Sequence, residues 1–147
     1  MIETLKTLFS RDLLRLKSEI ELYQNENDIW RSEKGITNSA GNLCLHLIGN
    51  LNTYIGSVFG KTNYVRNREL EFSLKDVPKS ELIKKIEETI KVVNDALNQV
   101  SEDELKMDFP LLVFREKTTT EFMLIHLTTH LAYHLGQINY HRRLLTQ

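Results

Sequence analysis

Apolar residues recur at helical intervals along nearly the whole chain. Leu5, Phe9, Leu13, Leu16 and Ile20 stand three or four apart with charged residues between them, predicting an amphipathic helix over roughly residues 2 to 23. A polar stretch, QNENDIWRSEKGITNS, follows and holds the single tryptophan, Trp30. A large aromatic ring in a polar connection is expected to pin that connection onto the helices by burying its area. The second helix is predicted from about Ser39 to Phe59, with Ser39 or Asn38 accepting from the unpaired N–H groups at its start. The next link, GKTNYVRNRELEFSLKDVP, is too long for a tight helix–helix turn and predicts a crossover. Pro78 then opens a third helix from about Lys79 to Val100, with Leu82, Ile86, Ile90, Val93 and Leu97 as its apolar stripe. Ser101 with Glu104 is a candidate cap for one further turn. KMDFPLLVFREK reads as extended, with a short hairpin as one form it can take. Thr118 with Glu121 makes a capping-box start to a final helix that continues to about Leu145. The expected fold is all-α: one domain over residues 1–147, a four-helix bundle with a long crossover link between helices two and three.

Composition narrows the function classes. A chain of 147 residues is long enough to bury a real core, and 41% hydrophobic with 27% charged residues is ordinary for a globular protein. A net charge of −1 and the lack of a basic tract offer no electrostatic footprint for nucleic acid. The first segment alternates apolar and charged residues and lacks the unbroken apolar run of a signal peptide; no later run reaches membrane-spanning length. The single cysteine, Cys44, cannot form an internal disulfide, and a cytoplasmic location is the expectation.

The chemistry concentrates in the last segment. Of five histidines, four fall in LIHLTTHLAYHLGQINYHRRLL, and His126, His130 and His134 stand four apart. Steps of four drift only about 40° around a helix, so the three imidazoles share a face, and any adjacent pair can offer two nitrogens to one ion. They border the apolar stripe of Leu127, Leu131 and Ile138. The fifth, His46, flanks a similar stripe (Leu43, Leu47, Leu51 and Tyr54) on the second helix. One histidine from one helix and a pair from another can assemble a three-ligand site in a helical core. The competing reading is a set of solvent-facing or hydrogen-bonded histidines, since HxxxH alone arises by chance. No glutamate stands in the HExxH register and no Glu-x-x-His pair occurs, which removes the zincin and di-iron carboxylate readings.

Other residues carry weaker signals. Arg66 can bind the carboxylate of a small-molecule cofactor; the bland reading has Arg66 and Arg68 paired with Glu69 or Glu71 to hold the loop. Tyr133, Asn50 and Gln137 are candidate hydrogen-bond partners for metal-bound imidazoles. Cys44 lies about 160° from His46 on its helix and reads as a small core residue. His141 shares the ladder's face but lies about 10 Å beyond His134, too far for the same ion.

NSAGNLCLHLIGNLNTYIG, then YVRNRELEF, then HLTTHLAYHLGQINYHRR resemble the DinB-like superfamily of metal-binding four-helix proteins, which includes the YfiT-like proteins. The resemblance runs from about Trp30 onward, and the spaced histidines followed by GQI are its most specific part. It implies one divalent metal, zinc or nickel foremost, on His46, His130 and His134, with water completing the shell; His126 lies outside that triad. Where the family commonly has arginine directly after the last ligand, this chain has Leu135. The resemblance further implies a thiol-dependent enzyme, a homodimer and a small-molecule substrate. The leading expectation is therefore a metal-dependent thiol S-transferase acting on small electrophiles. A metal-dependent hydrolase and a non-enzymatic metal-containing dimer are the alternatives, because the same three ligands serve all of them.

Overall fold

The structure, a computed structural model, describes residues 1–146. Its α-helices are α1 (Ile2–Leu22), α2 (Ala40–Leu51), α3 (Arg68–Ser73), α4 (Lys79–Leu97) and α5 (Thr120–Leu145). Short 3-10 turns occupy Glu26–Trp30 and Glu104–Lys106. Among the described residues there is no strand, only two isolated antiparallel bridges, Glu33 with Ile36 and Asp108 with Thr119. No helix is long and apolar enough to cross a membrane among those residues.

The long helices pack along their predicted stripes. Leu5, Phe9, Leu13, Leu16 and Ile20 of α1 are all buried, as are Leu82, Ile86, Val93 and Leu97 of α4. Helices α4 and α5 each pack on both α1 and α2. Side-chain contacts fix the directions. The start of α1 reaches Glu102 beyond the end of α4, while Lys79 at the start of α4 donates to the carbonyls of Glu21 and Tyr23. Thus α1 and α4 are antiparallel. Glu19 near the end of α1 meets Asn139 and Arg142 near the end of α5, so those two run parallel. Asn52 meets Thr89, and a methyl on Gly56 would meet Val92, so α2 and α4 are parallel too. A parallel pair that is consecutive among the long helices needs a connection running back along their length, and residues 60–78 make it.

That crossover contains a helix the periodicity does not predict: five α-helices form where four were expected. In α3 only Glu71 is buried, while Leu70 is 45% exposed, so no apolar stripe announces it. Asn67 caps it, accepting from Leu70 N–H. The second helix reaches Phe59 as expected, but Asn52–Ser57 is a π-helical turn. Asn52 holds that turn by donating to the Ile48 carbonyl at 2.8 Å and to Thr89 Oγ1 at 3.0 Å.

Several ends differ by a residue or more. The final helix is capped by Thr119, whose Oγ1 accepts from Phe122 N–H, and not by Thr118. The Thr118 carbonyl is used instead to accept from Phe109 N–H at 2.8 Å, in the bridge that is all the expected hairpin amounts to. Ser101 and Glu104 form the reciprocal capping box, each accepting from the other's N–H. Trp30 is buried as expected, at 8% exposure, and its ring lies flat on Gly41. A methyl there would approach three ring atoms to 2.6–2.7 Å, so glycine permits the contact.

Candidate metal centre

Antiparallel packing of α2 on α5 brings His46 opposite His130 and His134, and one ligand nitrogen from each lies within 4.8 Å of the other two. His46 Nε2 and His130 Nε2 stand 3.2 Å apart. A tetrahedral ion with bonds of about 2.0–2.1 Å holds its ligand nitrogens about 3.3 Å apart, so this pair is already at ligand spacing. His46 is buried and the other two are half-buried.

Hydrogen bonds fix which nitrogens face inward. His46 Nδ1 faces Glu71 Oε1 at 3.0 Å and must donate to that carboxylate, which leaves the Nε2 lone pair toward the centre. His134 Nδ1 likewise faces Gln137 Oε1 at 2.7 Å. The Gln137 amide nitrogen turns to Tyr133 Oη at 3.4 Å, which keeps its oxygen on the histidine. Two of the three imidazoles are thus held with the outer nitrogen protonated and the inner one free. His130 Nδ1 is buried without a partner.

Glu71 is itself held. Arg66 Nε donates to its Oε2 at 2.9 Å and Arg66 Nη2 to its Oε1 at 3.0 Å. Asn42 Nδ2 donates to the Glu71 and Leu74 carbonyls, each at 2.9 Å, which ties α3 to α2. Gly49 completes the seat, because a Cβ there would overlap the Glu71 carboxylate.

Electrostatics favour the neutral form of two of the three histidines. Burial lowers the pKa of His46, although Glu71 pulls it upward; burial, with the neighbouring His134 and His46, lowers that of His130 to about 4. Burial works against the Arg66 charge, yet Glu71 more than compensates and its pKa is raised. Neutral imidazoles with defined tautomers are the donor set that a borderline divalent ion such as zinc or nickel prefers. The residues present fit such an ion.

The remaining histidines have other partners. The His126 ring centroid lies 6.3 Å from that of His130 and 4.9 Å from Phe114, outside the group of three. His141 Nε2 donates to the Arg31 carbonyl at 2.8 Å, and its Nδ1 accepts from Tyr23 Oη at 2.6 Å. Of the arginines, Arg66 takes Glu71 as its partner, whereas Arg68 has no ion pair among the described residues. Both line a cleft of about 340 Å³ beside His46 and His130, with Asn50 and Tyr54. Arg66 also lies over the Tyr54 ring, 5.9 Å from its centroid. Cys44 is fully buried on the core side, its thiol pushed up to about 12 by desolvation, and is no ligand.

Sequence reasoning named Glu71 only as a loop ion-pair partner and missed its bond to His46. The available signal was an acidic residue in the crossover flanked by arginine. No curated protein and no solved structure gives a significant match. Residues 3–147 match the model of a family described as a protein of unknown function (DUF1572), and the chain belongs to that family.

Proposed function

We propose that the chain is a DinB-like four-helix bundle, with α3 riding on its crossover, that holds one divalent metal on His46, His130 and His134 and acts as a thiol S-transferase toward small electrophiles. The observation that carries this reading is the pair of fixed tautomers, Glu71 on His46 and Gln137 on His134. Histidines that merely pack have no need of inner nitrogens directed at one point. When bound, the ion supplies an open coordination position at which a thiol loses its proton more readily.

The carboxylate beside the triad favours thiol transfer over hydrolysis, while His126, which lines the adjoining cleft with no hydrogen bond to its ring among the described residues, is the base a hydrolase would use. Activated water is best served by a free carboxylate or histidine acting as general base. Among the described residues Glu71 is the carboxylate that touches the triad, and it is engaged by both His46 and Arg66. A thiol needs no such base once its acidity is raised. Arg66 lines the adjoining cleft and, in this reading, contributes to binding the thiol cofactor. The expected setting is a cytoplasmic homodimer with zinc or nickel bound.

Cobalt-substituted protein tests the reading. Its visible spectrum should shift on adding a small thiol, and thiol conjugation to a model electrophile should be lost in His46→Ala. A spectrum indifferent to thiol, on protein whose stability collapses when the metal is stripped, would leave only a structural ion.

A further inference from the structure

The cleft beside His46 and His130 has its own chemistry. Two arginines line it, and no aspartate or glutamate does. Arg66 is charge-balanced by Glu71, which takes its Nε and Nη2, so only its Nη1 edge remains for a ligand. Arg68 is exposed, forms no ion pair among the described residues, and leaves the cleft one uncompensated positive charge. Val113, Met123 and Leu127 also line it and give it an apolar part.

A second observation is independent of the arginines. Asn50 also lines the cleft and is 7% exposed, yet its side-chain oxygen has no hydrogen-bond partner. A buried amide left unpaired is costly, and such groups in native folds call for an explanation. His130 lines the cleft too, and its Nδ1 is unpaired as well. A carboxylate only accepts, so what it satisfies is the amide nitrogen of Asn50, which a flip of a side chain that no hydrogen bond holds turns into the cleft.

We propose that this cleft is a carboxylate subsite, in which Arg68 and the open edge of Arg66 hold the carboxylate of a small, partly apolar ligand and Asn50 fixes its orientation. One free positive charge matches a monoanion better than a phosphate, and a planar guanidinium matches a carboxylate in shape. The volume of about 340 Å³ suits a molecule of modest size. The inference rests on the proposed metal reading only in placing the ligand's reactive end at His46 and His130.

The test is binding of butyrate, followed through the Asn50 side-chain amide signal in a two-dimensional nitrogen–proton NMR spectrum of the full chain. Butyrate should move that signal and 1-butanol should not. Arg68→Ala should weaken butyrate about tenfold, the size of one charge-assisted contact, and Arg68→Lys should recover part of it. Equal responses to butyrate and butanol, or equal affinity in wild type and Arg68→Ala, overturn the proposal. These arms need no metal, so a chain that refuses zinc sinks the metal reading and leaves this one standing or falling by itself. With zinc-loaded protein, competition between 3-mercaptopropionate and butyrate assigns the carboxylate to the thiol. Simultaneous binding assigns it to the second substrate.

Discussion

His46 Nε2 and His130 Nε2 face each other across 3.2 Å although their residues lie 84 apart in the chain. Two lone pairs cannot share that space, so without an ion one nitrogen must carry a proton and donate to the other. Because His46 Nδ1 is committed to Glu71, that proton falls on His130 Nε2 and leaves His130 Nδ1 as a buried acceptor without a donor. An ion between the two removes the conflict. His130→Ala should therefore lower bound metal, measured by elemental analysis, to near background. His141→Ala should leave the metal in place, since His141 bonds to Tyr23 and Arg31. Equal metal loss from both variants would overturn the ligand assignment.

Glu71 is the next residue to test, because it fixes the His46 tautomer through a bond of 3.0 Å while Arg66 fixes Glu71. Losing the outer partner of a metal-bound imidazole typically costs 10–100-fold in affinity. Glu71→Ala should weaken zinc by about that factor in a chelator competition, with the ligands themselves intact. It also leaves Arg66 half-buried and unpaired, so a drop in thermal stability of the metal-free protein should accompany it. Unchanged zinc affinity would mean that Glu71 only tethers α3.

The sequence exposes this centre unevenly, for physical reasons. The four long helices are legible because each buries a continuous apolar stripe, and the histidines because four-residue spacing keeps them on one face. The crossover is legible by length alone. Helix α3 is not, since it buries a carboxylate, Glu71, in place of an apolar stripe. Its anchor, Asn42, likewise reads as an ordinary polar residue at a helix start, although both bonds from its amide nitrogen reach across to residues 71 and 74. Polar contacts made across distant segments leave no periodic trace, and the surroundings of this centre are built from them.

Acid should destabilise the metal-free protein, and His141 should account for part of the effect. Burial holds its pKa below the ordinary histidine value, against an opposing pull from the Arg31 carbonyl. The unfolded chain therefore binds the proton more tightly than the folded one. The stability this group contributes is complete above about pH 6.5 and is lost as pH falls below it. Each such group steepens the slope by at most about 1.4 kcal/mol per pH unit. His46 and His130 act with the same sign, so His141→Gln should flatten the melting-temperature profile between pH 7 and 5 without abolishing its slope. An identical profile in the variant would show that His141 is protonated equally in both states.

Two helical glycines should respond oppositely to the same added methyl. Gly41 lies under Trp30, whose ring leaves no space for a Cβ, and Gly41→Ala should displace the tryptophan and loosen the 3-10 turn at Glu26–Trp30. Overpacking of that kind costs about 1–3 kcal/mol. Gly136 lies inside α5 with nothing within 4 Å of the added carbon. Alanine there removes the backbone-entropy penalty of glycine in a helix, worth about 0.5–1 kcal/mol, and should raise the melting temperature by roughly 1–4 °C. Trp30 fluorescence separates the two cases further, since it should change with Gly41→Ala and stay fixed with Gly136→Ala. If Gly136→Ala instead lowers stability or alters the oligomeric state in size-exclusion chromatography, position 136 meets a neighbour outside this chain, and the missing Cβ is explained by that contact.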